Sequence, residues 1–198
     1  MYGIYENGQV IAKFVAPIAV KSNRPVFASD TLSLSRKASR RVAQRWEIEA
    51  RLEPLSFSAQ DLFVNVVTKG YSEDVTIVVP QNYGSIQSRI INAYTAPIGA
   101  GSLNSEIINV SSNVNYIPKG TFIKFSTHNK VYMTTTNLNG NGSIGIYPGL
   151  QEAVNTTFTH LDDVIMHCLY DFETMTGMSY IDGILMDLGT VKLVENLV

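Results

Sequence analysis

Apolar and polar residues alternate most regularly over positions 42–53. There Trp46, Ile48, Ala50 and Leu52 are interleaved with Arg45, Glu47, Glu49, Arg51 and Glu53. Period two predicts a half-buried antiparallel strand with one charged face. It is expected to stop at Glu53-Pro54. Ser58, with Asp61 three residues on, has the pattern of a helix N-cap and its capping-box partner. Leu62, Phe63, Val66 and Val67 then recur at helical spacing until Gly70, and Thr76–Val79 returns to a β pattern before Pro80. The expectation is a strand–helix–strand unit over 42–79.

Residues 81–118 are rich in Asn, Ser, Gly and Pro, with few charges and isolated apolar pairs. Ordered loops of that length are uncommon and usually carry function. The stretch is therefore read as a long interaction loop or arm, with Ile107–Val110 as a short strand inside it. From Gly120 the β pattern returns in Thr121–Phe125 and Lys130–Thr135. Asn139-Gly140-Asn141-Gly142 predicts a hairpin tip, with Ser143–Tyr147 as the returning strand and Pro148-Gly149 closing it. A short helix is expected around 150–154, a buried strand over Asp163–Phe172, and one or two further strands within 178–197. The fold class is therefore mostly β (α+β), an antiparallel barrel or sandwich with one or two short helices, built as a single domain over 1–198.

Composition changes the picture in one respect. The chain has 198 residues, of which 45% are hydrophobic and only 16% charged. This excludes wholesale disorder and leaves a surface of Ser, Thr, Asn, Gly and apolar groups, suited to burial against partners. Net charge is −2, but it is unevenly spread: +5 over 1–52, 0 over 53–151 and −7 over 152–198. Opposite patches steer encounter and fix register between subunits.

Candidate chemistry is sparse. One cysteine, Cys168, lies among apolar neighbours and reads as a buried, inert thiol; it excludes a disulfide framework. The first residues lack a basic region followed by an apolar one, and no apolar run approaches a membrane span. The expectation is synthesis in a reducing cytoplasm with no membrane contact. Gly140-Asn141-Gly142-Ser143-Ile144-Gly145 matches G-x-G-x-x-G, but the next residues are strand-like and end in proline, so a turn explains the glycines better than a dinucleotide. His160-Leu161-Asp162-Asp163 offers metal-donor types without metal-ligand spacing, and His128 and His167 lie on other elements. No P-loop and no Gly-x-Ser-x-Gly elbow appears. No catalytic, cofactor or metal residue is therefore assigned.

The densest basic run is Ser35–Arg41, part of an expected basic loop over 30–41. Nucleic-acid phosphate is one partner for it, but interleaved aromatics for base stacking are missing. Docking on an acidic protein surface is the favoured reading, with Arg36, Lys37, Arg40 and Arg41 as the interaction residues.

Three stretches carry a family resemblance: Arg45-Trp46-Glu47-Ile48-Glu49 through Leu52-Glu53-Pro54-Leu55, a helix and Gly70; Pro118–Phe125 with Lys130-Val131-Tyr132; and Gly142–Leu150. The pattern resembles minor tail proteins near the baseplate of long-tailed bacteriophages, which are similar to tail-tube subunits. The resemblance covers roughly 42–79 and 118–154. It implies a tail-tube-like barrel or sandwich and a structural role in a contractile or long tail. The subunit would form a ring, commonly sixfold, around the tail axis and join itself to tube, baseplate or hub proteins. The implied location is the virion tail, assembled in the host cytoplasm, with no catalysis, no cofactor and no specific nucleic-acid binding. Another class remains open: a small β-rich ligand- or carbohydrate-binding module, in which Tyr83, Tyr94 and Tyr116 would stack on sugars. A hydrolase with a dispersed site ranks below both.

Overall fold

The computed structural model describes residues 2–6, 8–30, 36–40, 43–55, 59–69, 73–81, 97–111, 116–159, 164–171, 173, 179–181, 184–187 and 189–197. The fold is mostly β, built on two closed antiparallel barrels.

The first barrel uses both ends of the chain. Its strands are β1 (Gly3–Glu6), β2 (Gln9–Asn23), β5 (Arg45–Pro54), β6 (Val75–Val78), β15 (Ile165–Asp171) and β18 (Thr190–Glu195), closed in the order β1-β2-β5-β18-β15-β6. Alternation places Trp46, Ile48, Ala50 and Leu52 in its core, as the pattern over 42–53 requires. The opposite face is not uniformly wet. Glu47 is buried, accepts a hydrogen bond from Asn23 Nδ2 at 2.6 Å and lies 3.4 Å from Lys192 Nζ.

Helix α1 (Ala59–Lys69) comes after β5; the expected cap Ser58 and Gly70 lie outside the described residues. Leu62 and Val66 are buried, but Val67 is exposed and Asn65 takes a core-facing place instead. Asn65 Oδ1 accepts the Tyr170 hydroxyl at 3.0 Å, which draws that side of the helix inward.

The second barrel is inserted between β6 and β15. Its strands are β7 (Ile98–Gly101), β8 (Ile107–Ser111), β10 (Phe122–Phe125), β11 (Val131–Thr134), β13 (Gly142–Tyr147) and β14 (Val154–Thr159), closed as β10-β11-β13-β8-β7-β14. β6 and β15 are themselves paired, Val78 opposite Ile165, and Val79 N donates to Val164 O at 2.9 Å. The insertion therefore leaves and re-enters the first barrel at one point. Each barrel has an apolar core, and Phe122 and Val131 of the second barrel pack into the core of the first. The same period-two pattern serves both barrels, and the junction is a strand ladder with no linker composition to mark it.

Among the described residues there are three further two-strand ladders: β3 (Val26–Asp30) with β4 (Arg36–Arg40), β9 (Tyr116–Ile117) with β12 (Leu138–Asn139), and β16 (Ser179–Ile181) with β17 (Ile184–Asp187).

Several expectations are corrected. Residues 97–111 are largely barrel strands rather than a free arm, while 82–96 lie outside the described residues. The sequence Ile98-Gly99-Ala100-Gly101 has little β propensity, and its small residues answer to close packing. A Cβ on Gly99 would come within 2.9 Å of Phe125, and one on Gly101 within 2.6 Å of Leu150. No helix forms at 150–154, where Val154 already begins β14. Gly140 and Gly142 have φ of +71° and +152°, so the chain does turn there. The flanking strands nevertheless pair elsewhere, β12 with β9 and β13 with β8 and β11. The expected basic loop contains strand β4, with Arg36 opposite Asp30 and Arg40 opposite Val26. Mutual repulsion keeps such a segment extended, which is also the backbone a ladder needs; its partner strand was not apparent from the charge run.

Candidate functional site

Two regions combine exposed or charged groups with a defined geometry: the seam between the barrels and the basic hairpin.

The seam is made by the β10–β11 hairpin, whose two faces serve different barrels. Ile123, Phe125 and Tyr132 point into the second core, while Phe122 and Val131 belong to the first. Trp46 anchors the contact. Its indole Nε1 donates to Val131 O at 2.8 Å, and its ring meets Phe122 and Tyr147 edge-on at 5.2 and 6.0 Å between centroids. Gln81 spans the same gap, donating to Phe122 O and accepting from Phe122 N, both at 2.9 Å. Tyr147 and Ser22 share a hydroxyl–hydroxyl bond of 3.0 Å.

At the centre is a buried ion pair. Glu195, at the end of β18, accepts from Trp46 N at 3.0 Å, from Val131 N at 2.9 Å and from the Lys130 ammonium. Both charged side chains are almost wholly out of water. One carboxylate thus joins three segments of sequence across the two barrels. Such a pair does not guarantee stability, because desolvation opposes the Coulomb term, but breaking it leaves a buried charge uncompensated.

A second lysine, Lys124, reaches the open end of the seam. There a pocket of about 390 Å³ is lined by Lys124–Asn129, Thr157–Thr159 and Ile165. Lys124 is half-buried, and burial lowers its pKa from the ordinary lysine value, opposed by the field of Glu195. His128 stacks on Phe125 at 5.6 Å, and its Nε2 lies 2.9 Å from the Tyr132 hydroxyl. Burial is the main cause of its lowered pKa, with Glu152 raising it and Lys124 lowering it. The Tyr132 phenol is pushed up to about 12, chiefly by burial, while its oxygen accepts from Gln151 N at 3.1 Å.

Around the other histidine, burial and the charge of Lys124 lower the His167 pKa, against the pull of Asp74 at 3.7 Å. Cys168 is fully buried and its thiol is pushed well up by that burial, in keeping with an inert thiol. His160, Asp162 and Asp163 lie outside the described residues. Among the described residues no group of His, Cys, Asp and Glu is arranged to hold a metal ion.

The basic hairpin lies between β2 and β5 in the chain. β1 leaves the β2–β5 ladder at Lys13 and β18 leaves it at Glu47, whereas β2 and β5 stay paired to Asn23 and Arg45. Between them in sequence, β3 and β4 form their own antiparallel ladder, from Val26 opposite Arg40 to Asp30 opposite Arg36. Arg36, Lys37 and Arg40 are thus brought onto one strand, and Arg41 lies just beyond the described residues. Tyr116 is half-buried on β9, while Tyr83 and Tyr94 are not described, so no tyrosine cluster for sugar stacking is assembled from the described residues.

The seam went unrecognised in the sequence because Trp46, Lys130 and Glu195 are far apart along the chain; the signal present was a lone glutamate on an apolar strand, Val191-Lys192-Leu193-Val194-Glu195. No protein-family model matches the chain, and no curated protein matches it in sequence.

Proposed function

We propose that this chain is a structural subunit of a long or contractile bacteriophage tail, acting through its surfaces rather than through catalysis. It would form a ring with copies of itself and join neighbouring tube, baseplate or hub proteins. The observation that carries the reading is the two-stranded basic hairpin. A two-stranded ribbon is marginally stable at best in water, and this one bears Arg36, Lys37 and Arg40 on a single strand. Both its backbone and its charge call for a partner surface of opposite sign. Residues 152–198 of another copy, with a net charge of −7, supply that sign. Closed barrels agree with the role, since they leave few open edges for unplanned pairing.

Carbodiimide cross-linking of a mixture of isotopically light and heavy chains tests the contact. The expected product joins Lys37 of one copy to an acidic residue within 152–198 of another. Cross-links confined to single chains, at concentrations where the protein is assembled, would contradict it.

A further inference from the structure

We infer that the open end of the seam beside Lys124 is a binding pocket for a small carboxylated, polyhydroxylated ligand, of the sugar-acid class. Two lysines of the β10–β11 hairpin reach the seam, and they end differently. Lys130 meets the Glu195 carboxylate; Lys124 has no ion-pair or hydrogen-bond partner for its ammonium among the described residues. Among the described residues the negative charge that acts on it is that of Glu195, which is already engaged by Lys130 and two backbone N–H groups. A half-buried ammonium in that position favours an anion, and a carboxylate is the partner whose hydrogen bonds to it are charge-assisted.

The remaining walls specify more than charge. Ser126 and Thr157 carry exposed hydroxyls on the pocket wall, 3.4 Å apart, and Ser126 Oγ also lies 2.8 Å from Thr156 Oγ1 outside the lining. Each hydroxyl has one donor and two acceptor sites, so two contacts at Ser126 Oγ and one at Thr157 Oγ1 leave capacity for a ligand hydroxyl. The His128 ring, lowered in pKa by burial, is not a second cation at pH 7, and its nitrogens are engaged by the Tyr132 hydroxyl at 2.9 Å and Thr127 Oγ1 at 3.3 Å. Ile165, 40% exposed, offers one apolar surface for the C–H face of a ring. At about 390 Å³ the pocket lies at the small end of ligand sites, and it exceeds what one acidic side chain would fill. This inference stands apart from the tail reading, because the pocket would exist in a monomer or a ring.

The test is titration of the full chain with glucuronate, glucose and acetate, monitored by the His128 ring resonance and by calorimetry. Glucuronate is expected to give saturable binding in the millimolar range, with glucose and acetate each at least about tenfold weaker. Lys124→Met should weaken glucuronate by a similar factor. Thr157→Val, at an exposed position, should weaken it less and keep the fold. Equal binding of glucose would overturn the anion requirement, and equal binding of acetate would overturn the sugar class. Unchanged affinity in Lys124→Met with native circular dichroism, or no saturable response to glucuronate at tens of millimolar, would overturn the site.

Discussion

Lys130 on the inserted barrel and Glu195 on the last strand of the first form an ion pair that water does not reach. Residues 65 positions apart are thereby held at one point, together with Trp46 N and Val131 N. This makes the seam a single cooperative unit, and it yields the first prediction. Lys130→Met leaves the carboxylate buried with only backbone donors and is expected to cost about 3–5 kcal/mol. Adding Glu195→Gln to that variant should recover part of the loss, since the charge is gone while an acceptor remains. Urea unfolding of the two variants measures both effects, and equal losses in the single and double variants would contradict the role given to the pair.

The core of the first barrel is tested at Ile48, which is fully buried and lies across from Val20 on one side and Leu193 on the other. Ile48→Ala is expected to cost about 2–5 kcal/mol. A loss well under 1 kcal/mol would mean that the inward face has been misplaced.

How much of this was legible in the sequence depends on how local the cause is. Strand β5 was legible because alternation is a property of neighbours, and Ile48 and Leu52 are inside as the pattern requires. Burial of Glu47 was not, because Asn23 and Lys192, which make it tolerable, come from other strands. Strand β7 was hidden by its glycines, whose reason is the approach of Phe125 and Leu150. Of the interaction residues, Arg36, Lys37 and Arg40 stood out as a charge run, but the ladder that extends them did not. Lys124 gave no local signal and Glu195 only that of a lone glutamate on an apolar strand, since each acquires meaning from the other barrel.

The glycines of the G-x-G-x-x-G match are explained by backbone shape. Gly140 has φ +71°, and a Cβ placed on it would have no atom within 4 Å, so Gly140→Ala tests conformation alone. It is expected to cost about 1–2 kcal/mol, the penalty of a left-handed L-residue. The same protein should give no saturable heat with a dinucleotide, and micromolar binding would contradict the turn reading.

Acid should weaken the fold through its histidines. Burial depresses the folded-state pKa of both His128 and His167 below 6.5. For a depressed group the unfolded chain binds the proton first, so the stability is complete above pH 6.5 and is lost as pH falls through the folded value. Around His128 the charges are Glu152 and Lys124; around His167 they are Lys124 and Asp74. Melting temperature should therefore decline below pH 6.5. The decline should be shallower in a His128→Gln/His167→Gln variant, and an unchanged slope in that variant would contradict the assignment.

The basic hairpin should matter for assembly and little for folding. Exposed ion pairs contribute about 0–1 kcal/mol each, so changing Arg36, Lys37, Arg40 and Arg41 to Ser should leave the melting temperature of the monomer nearly unchanged. Incorporation into particles should fall. Normal incorporation would remove the docking role, and loss of nucleic-acid binding in its place would favour the phosphate reading of that segment.

A chain that works by assembling must show it in its mass, and light scattering behind a sizing column, across protein concentration and salt, reads that mass directly. The expected result is a discrete species of several 21.8 kDa copies at low salt, shifting toward monomer as salt screens the hairpin contacts. A monomer at every concentration and salt, alone and with neighbouring tail proteins, would contradict the assembly role.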